Sequence, residues 1–372
     1  MNRVVIKFLA VCFVLGMFQA DAFGSEKYDR LLQTYSPIFV QEIGPKPLYD
    51  AITRFDFDGN KSGYDNVRNV GVFPLPATVY GEVVAETNDS YFLFYGVYHP
   101  RDYDTPLREF FFKSASHDND FEGLMFAVDK KSGGIVALET WYHSKFLQFA
   151  PTPDFGRTQT IDGKLHVDDT THPLIFVQCR GHGVRALQKI DEELMKQISF
   201  KIYRLGQTAT DVKTAPTIFI DYTLMTMADF FAFANGPFDA HSMFSAPQDF
   251  EIGKRPIGKY LSGNFKGDSS MARPKPPWSW TDKFDTLRPG AWFFHPAFVF
   301  GLHFQHPFSK DYLYNLPLEK LLQTDQATLD EWALQPTASY FDDVPKSPFH
   351  RPMKALRTFL YNIADYLFYY LG

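Results

Sequence analysis

Hydrophobic and polar positions alternate most clearly between residues 90 and 130. Tyr91, Leu93, Tyr95 and Val97 interleave with Phe92, Phe94, Gly96 and Tyr98. That pattern predicts a strand buried on both faces, ending near Pro100, which cannot donate to a ladder. A polar stretch, His117 to Asp120, precedes Leu124, Met125, Phe126, Ala127 and Val128, a second strand entered from a turn. Antiparallel pairing of the two would lay the end of the first beside the start of the second. Further strands are expected at Pro37–Val40, Ala77–Glu86, Ile135–Tyr142, Leu165–Val167, Leu174–Cys179, Phe200–Leu205 and Ile218–Tyr222. Apolar residues at helical intervals predict helices at 184–197, 225–234, 318–334 and 353–371. The expected fold is a β-rich α+β protein: a mostly antiparallel β-sandwich with peripheral helices, more helical in the C-terminal half.

The domain reading follows. Residues 1–22 have the basic start, apolar core and small-x-small end (Ala20-Asp21-Ala22) of a secretory signal. Residues 23–372 read as one large β-sandwich-based domain with a helix-rich extension from about residue 184. Residues 262–290, rich in Gly, Ser and Pro, read as an irregular excursion over the core.

Composition narrows the function. The chain carries 37 basic and 43 acidic residues, net −6, and removal of the signal leaves −7. No basic excess exists to neutralise phosphates, which argues against nucleic acid. Of two cysteines, Cys12 leaves with the signal, so Cys179 stands alone. A signal without disulfides points to a bacterial exported protein, periplasmic or released. No P-loop, dinucleotide fingerprint or Gly-x-Ser-x-Gly elbow is present.

The candidate chemistry lies at the ends of the central pair. Asp120 and Glu122 leave one face of a strand. His117 is three residues before Asp120, and Asp102 would arrive from the neighbouring strand. Three carboxylates and an imidazole in a small volume call for raised pKa values or a cation. Oxygen-rich ligation favours Mg, Mn or Ca; the competing reading is an ordinary solvated Asp/Asn turn. Asp56, Asp58, Asn60 and Asp65 read first as a simple Asp/Asn-Gly turn and second as an irregular candidate cation loop. It is not an EF-hand, because Arg54 would fill the first ligand position. His182, between Gly181 and Gly183, and His143 are candidate second-shell or ligand-binding residues. Phe110–Phe112 form either core packing or an apolar tip. His295, His303 and His306 read as packing or loop histidines.

Pro100-Arg101-Asp102 and the His-x-x-Asp-x-Glu of His117, Asp120 and Glu122 resemble the central segment of the necrosis- and ethylene-inducing-peptide-like proteins. The His172-Pro173 and Gly-His-Gly elements are similar to the related vacuolar-protein-sorting-type domain family. The first resemblance covers about forty of the 372 residues. It departs where the family motif has Trp (here Phe121), where it has Gly before the His (here Ser116), and in a longer 103–116 loop. It implies a divalent cation held by Asp102, His117, Asp120 and Glu122, with a glycolipid, glycan or membrane surface as partner. Three functions stand beside one another: recognition of a polar headgroup or glycan through the ion, metal-dependent hydrolysis, and a structural protein whose ion rigidifies loops.

Overall fold

The computed structural model describes residues 26–60, 63–106, 109, 116–143, 145–152, 155, 161–168, 170–231, 247–252, 255–261, 277, 280 and 291–315. The signal segment, Phe110–Phe112, most of 262–290 and the helices expected at 318–334 and 353–371 lie outside these residues. Fourteen strands are described: β1 (Ile38–Ile43), β2 (Thr78–Thr87), β3 (Ser90–Asp102), β4 (His117–Asp129), β5 (Ile135–Tyr142), β6 (Lys145–Ala150) and β7 (Gly163–Lys164). Then follow β8 (Leu174–Val177), β9 (Val184–Ala186), β10 (Ser199–Leu205), β11 (Phe219–Thr226), β12 (Pro247–Ile252), β13 (Arg255–Leu261) and β14 (Tyr312–Asn315).

Eleven strands follow one another in the order β7-β6-β5-β4-β3-β2-β11-β10-β1-β8-β9, and β14 adds to β2. β11 takes the Thr78–Gly81 half of the β2 edge and β14 the Ala85–Thr87 half. The sandwich expectation is overturned: one sheet curls into a nearly closed mixed barrel. Most neighbours pair antiparallel, as expected, but β1·β8, β10·β11, β11·β2 and β6·β7 pair in parallel, which makes the sheet mixed. Nor does helix dominate after residue 184, where strands β9 to β14 lie. The reason is physical. Alternation reports that a strand has two faces, and a sandwich and a barrel use the same alternation. Closure depends on which distant strands meet, and here β9 returns against β4 and β5. The helix expected over 184–197 shrinks to Lys189–Met195, because its first turn is spent on β9 and a capping box of Gln188 and Asp191 starts the helix later.

The β3–β4 pair behaves as its pattern predicts. The strands run antiparallel from Ser90 opposite Asp129 to Asp102 opposite His117. Phe92, Phe94, Tyr95, Val97, Leu124, Met125 and Phe126 are fully buried, each contributing about 1.5–3 kcal/mol. The helices Ala291–Phe294 and Pro296–Phe304 cover one flank of the sheet. Trp292 and Phe293 meet Phe94 edge-on, and Trp280 stacks on Trp141 at 5.1 Å. Glu139, buried beneath that layer, accepts a hydrogen bond from Trp292 Nε1 at 2.9 Å and pairs with His303. His303 is therefore part of the packing, as its sequence context indicates. No helix among the described residues is long and apolar enough to cross a membrane.

Candidate metal centre

The centre is built where β3 and β4 end. The register that sets Asp102 opposite His117 also sets His99 opposite Asp120 and Val97 opposite Glu122. Cross-strand partners share a face, so His99, Asp120 and Glu122 face the same side. Strict alternation would turn His117 away from Asp120, three residues on. Asn119 between them has φ of 61°, a left-handed conformation that interrupts the alternation. It is held there by Tyr98, whose hydroxyl donates to Asn119 Oδ1 at 2.7 Å, and by Gly63, whose carbonyl accepts from Asn119 Nδ2 at 2.7 Å. The charge of Asp120 reaches His117. His117 Nε2 lies 3.5 Å from Asp102 Oδ2.

Closure of the barrel brings a third element. The turn between β8 and β9 carries His182, whose Nδ1 lies 2.8 Å from Asp120 Oδ2 and whose Nε2 lies 3.3 Å from Asp50 Oδ1. Asp50 is fixed in turn: its carboxylate accepts from Gly44 N at 2.8 Å, Tyr103 Oη at 2.9 Å and Arg180 N at 2.9 Å. Arg180, His182 and His143 all have positive φ, and such strain gathers at functional sites. The flanking glycines are required by space. A Cβ on Gly181 would come within 2.7 Å of the His143 ring, and one on Gly183 within 2.6 Å of the Tyr142 ring. His143 itself rests against Gln178, Nε2 to Oε1 at 3.1 Å, and its charge reaches Asp120.

The protonation pattern follows from burial and neighbours. Burial pulls the His182 pKa down, but hydrogen bonds to Asp120 and Asp50 and their charges outweigh it and raise the value. Burial pushes Asp120 up, and the His182 hydrogen bond with nearby imidazoles reverses this, leaving it below the ordinary value. Glu122 has no such help. Burial, Asp120 and Asp102 all push it well above the carboxylate range. Burial drives His99 well down, with His182 adding to it, and burial drives His117 down against the pull of Asp120.

The donors fit a cation. Glu122 Oε2, His117 Nδ1 and His99 Nδ1 are buried without a hydrogen-bond partner, which native interiors rarely tolerate. Ligand atoms of His99, Asp120 and His182 lie within 4.8 Å of one another and could hold a metal ion. The site deepens from rim to floor: Asp102 and His117 side chains are 17% and 16% exposed, those of Asp120 and His182 4% and 0%.

No protein-family model matches the chain, and no curated protein does. Solved structures resemble part of it. A protein described as a toxin fold for microbial attack and plant defense is 17% identical, with TM-score 0.25 over 44% of this chain and 59% of that one. NLPPya in complex with mannosamine is 16% identical, with TM-score 0.24 over 44% and 59%. Necrosis and ethylene inducing protein 2, from the causal agent of cocoa's witches' broom disease, is 18% identical, with TM-score 0.22 over 30% and 45%. The chain thus spans less than two thirds of each of these proteins.

Sequence reasoning named Asp102, His117, Asp120, Glu122, His182 and His143; it missed His99 and Asp50. His99 was available from the register, since any antiparallel pairing that sets Asp102 against His117 sets His99 against Asp120. Asp50 arrives from a turn after β1 and gives no local signal. The acidic loop after β1 meets the edge of the centre through Gly63 and Asn66, which bond Asn119, while Asp56 and Asp58 are engaged by other partners. Asp56 receives Arg54 through both oxygens at 2.6 Å. Asp58 accepts from Asn60 N at 3.0 Å, Asn60 Nδ2 at 2.8 Å and Asn69 Nδ2 at 2.7 Å. Asp65 heads the short helix Asn66–Asn69, with Oδ1 buried and without a hydrogen-bond partner.

Proposed function

We propose that this is an exported protein that binds a divalent cation around Asp120 and uses it to recognise a polar headgroup or glycan. The observation that carries the reading is Glu122: a buried carboxylate oxygen with no donor, beside two further carboxylates. Such a group costs several kcal/mol unless it is protonated or meets a cation. Asp102, His117, Asp120 and Glu122 would hold the ion, which supplies positive charge for oxygen ligands. The chain's own residues do the rest. His182 orients Asp120, Asp50 orients His182, and the partly open Asp102–His117 edge admits a ligand. Lys46 lies over the rings of Tyr49 and Tyr103, 5.8 and 5.1 Å from their centroids, next to that edge. Tyr103 is buried, so the half-buried Tyr49 ring and exposed Lys46 are the groups that suit the apolar face and hydroxyls of a sugar.

The test is binding of the purified protein to a glycan array and to vesicles containing glycolipids, with and without chelator. Chelator-sensitive binding, lost in Asp120→Asn, is expected. Binding indifferent to chelator, or chelator-sensitive hydrolysis of the ligand, would contradict recognition as the role of the ion.

A further inference from the structure

His99 is absent from the motif that draws attention to this site, yet its ring is the best prepared donor in it. Gln41 explains why. Gln41 Nε2 donates to the carbonyls of Glu42 and Gln178, at 2.8 and 3.0 Å. Both amide hydrogens are spent on groups that only accept, so Gln41 Oε1 must face the other way. It lies 3.0 Å from His99 Nε2. An amide oxygen cannot donate, so His99 Nε2 carries the proton and Nδ1 carries the lone pair. Nδ1 is buried and has no hydrogen-bond partner. A ring whose outer nitrogen donates to a fixed acceptor, with the inner lone pair left bare, is how proteins set a histidine for a metal.

The neighbouring ring divides the labour. His99 and His182 are stacked with centroids 3.8 Å apart and planes 3° apart. Lone pairs lie in the ring plane, so two parallel rings cannot aim at one point. His182 Nδ1 is already committed to Asp120 Oδ2 at 2.8 Å. His99 Nδ1 is not committed, and it sits on the strand position opposite Asp120.

We propose that His99 ligates the cation through Nδ1, beside Asp120 and Glu122, while His182 stays stacked and orients Asp120. The assignment rests on the cation-site reading above and changes the class of ion. A buried imidazole donor moves the preference from the hard ions Mg and Ca toward transition ions of the Zn, Co or Mn class.

Two measurements test it. Pulsed electron paramagnetic resonance of bound Mn(II), compared between the parent and His99→Phe, should show the imidazole-nitrogen coupling of one ring lost in the variant, beyond any coupling from His117. On His99→Phe, which keeps a ring to stack on His182, Zn(II) and Co(II) affinity by isothermal titration should fall about tenfold to a hundredfold, with Ca(II) affinity unchanged. Nitrogen coupling unchanged between parent and variant, or equal Zn(II) affinity in the variant, while a divalent ion still binds near Asp120, would overturn the role of His99 and leave the cation site standing. Failure of every divalent ion to bind the parent protein would overturn both.

Discussion

Two acidic stretches of this chain look alike in sequence and differ in what surrounds them. Asp56, Asp58, Asn60 and Asp65 are spaced like ligands, and so are Asp102, Asp120 and Glu122. In the first stretch Asp56 is held bidentately by Arg54, Asp58 is held by the amides of Asn60 and Asn69, and only Asp65 among the three has a buried, unmatched oxygen. In the second, no Lys or Arg donor is found on Glu122 among the described residues, its Oε2 is buried and unmatched, and Asp120 and Asp102 add their charges to it while imidazoles stand around Asp120. The lesson is that spacing proposes a cation site and the supply of competing donors decides it. A carboxylate that already has a guanidinium or two amides gains little from an ion. One that is buried beside other carboxylates gains a great deal.

The comparison can be broken at either stretch. The largest effect is expected at Asp120: Asp120→Asn should weaken divalent-ion binding by about a hundredfold or more, read by isothermal titration. Glu122→Gln should weaken it by about tenfold and also reveal the cost of the buried charge. The folded pKa of Glu122 lies above its unfolded value of 4.5, so the folded state holds the extra proton and stability falls as pH rises from about that value. Glu122→Gln removes this slope, and denaturant titrations at pH 5 and pH 8 should show the variant gaining on the metal-free parent, by about 1–2 kcal/mol at the higher pH.

Asp118 sharpens the contrast from within the motif. It is buried and bonded to Arg101 Nη1 at 2.7 Å. Asp118→Ala should keep ion stoichiometry while losing about 2–4 kcal/mol of stability, because Arg101 is left without its partner. The smallest effect belongs to the loop. Asp56→Asn should leave ion binding unchanged and cost less than about 1 kcal/mol, since Arg54 is 38% exposed and water can replace the pair. A larger change in ion binding from Asp56→Asn than from Glu122→Gln would reverse the comparison.

Part of this centre was legible in the sequence because local chemistry set it. β3 runs two residues past Pro100, to Asp102, the aromatic alternation fixes its faces, and the polar run from His117, expected as a turn, is already the start of β4. Those three facts determine a register, and the register brings Asp102, His117, His99 and Asp120 to one end of the pair. The remainder depends on contacts far apart in the chain. His182 reaches Asp120 across 62 residues, and Asp50 reaches Arg180 across 130, only because β9 folds back against β4 and β5. No periodicity encodes that closure, and for the same reason a sandwich was expected where a barrel formed. Asn119 shows a subtler limit. Its left-handed backbone, held by Tyr98 and Gly63, leaves no mark in the alternation of β4.

The central claim is that the buried carboxylates around Asp120 hold a divalent cation and those of the 56–65 loop do not. The most direct measurement is metal content by elemental analysis after exhaustive dialysis against a mixture of divalent ions, for the parent, Asp120→Asn and Asp58→Asn. The account predicts one tightly held ion per chain in the parent and in Asp58→Asn, and none in Asp120→Asn. An ion retained by Asp120→Asn and lost from Asp58→Asn would contradict it.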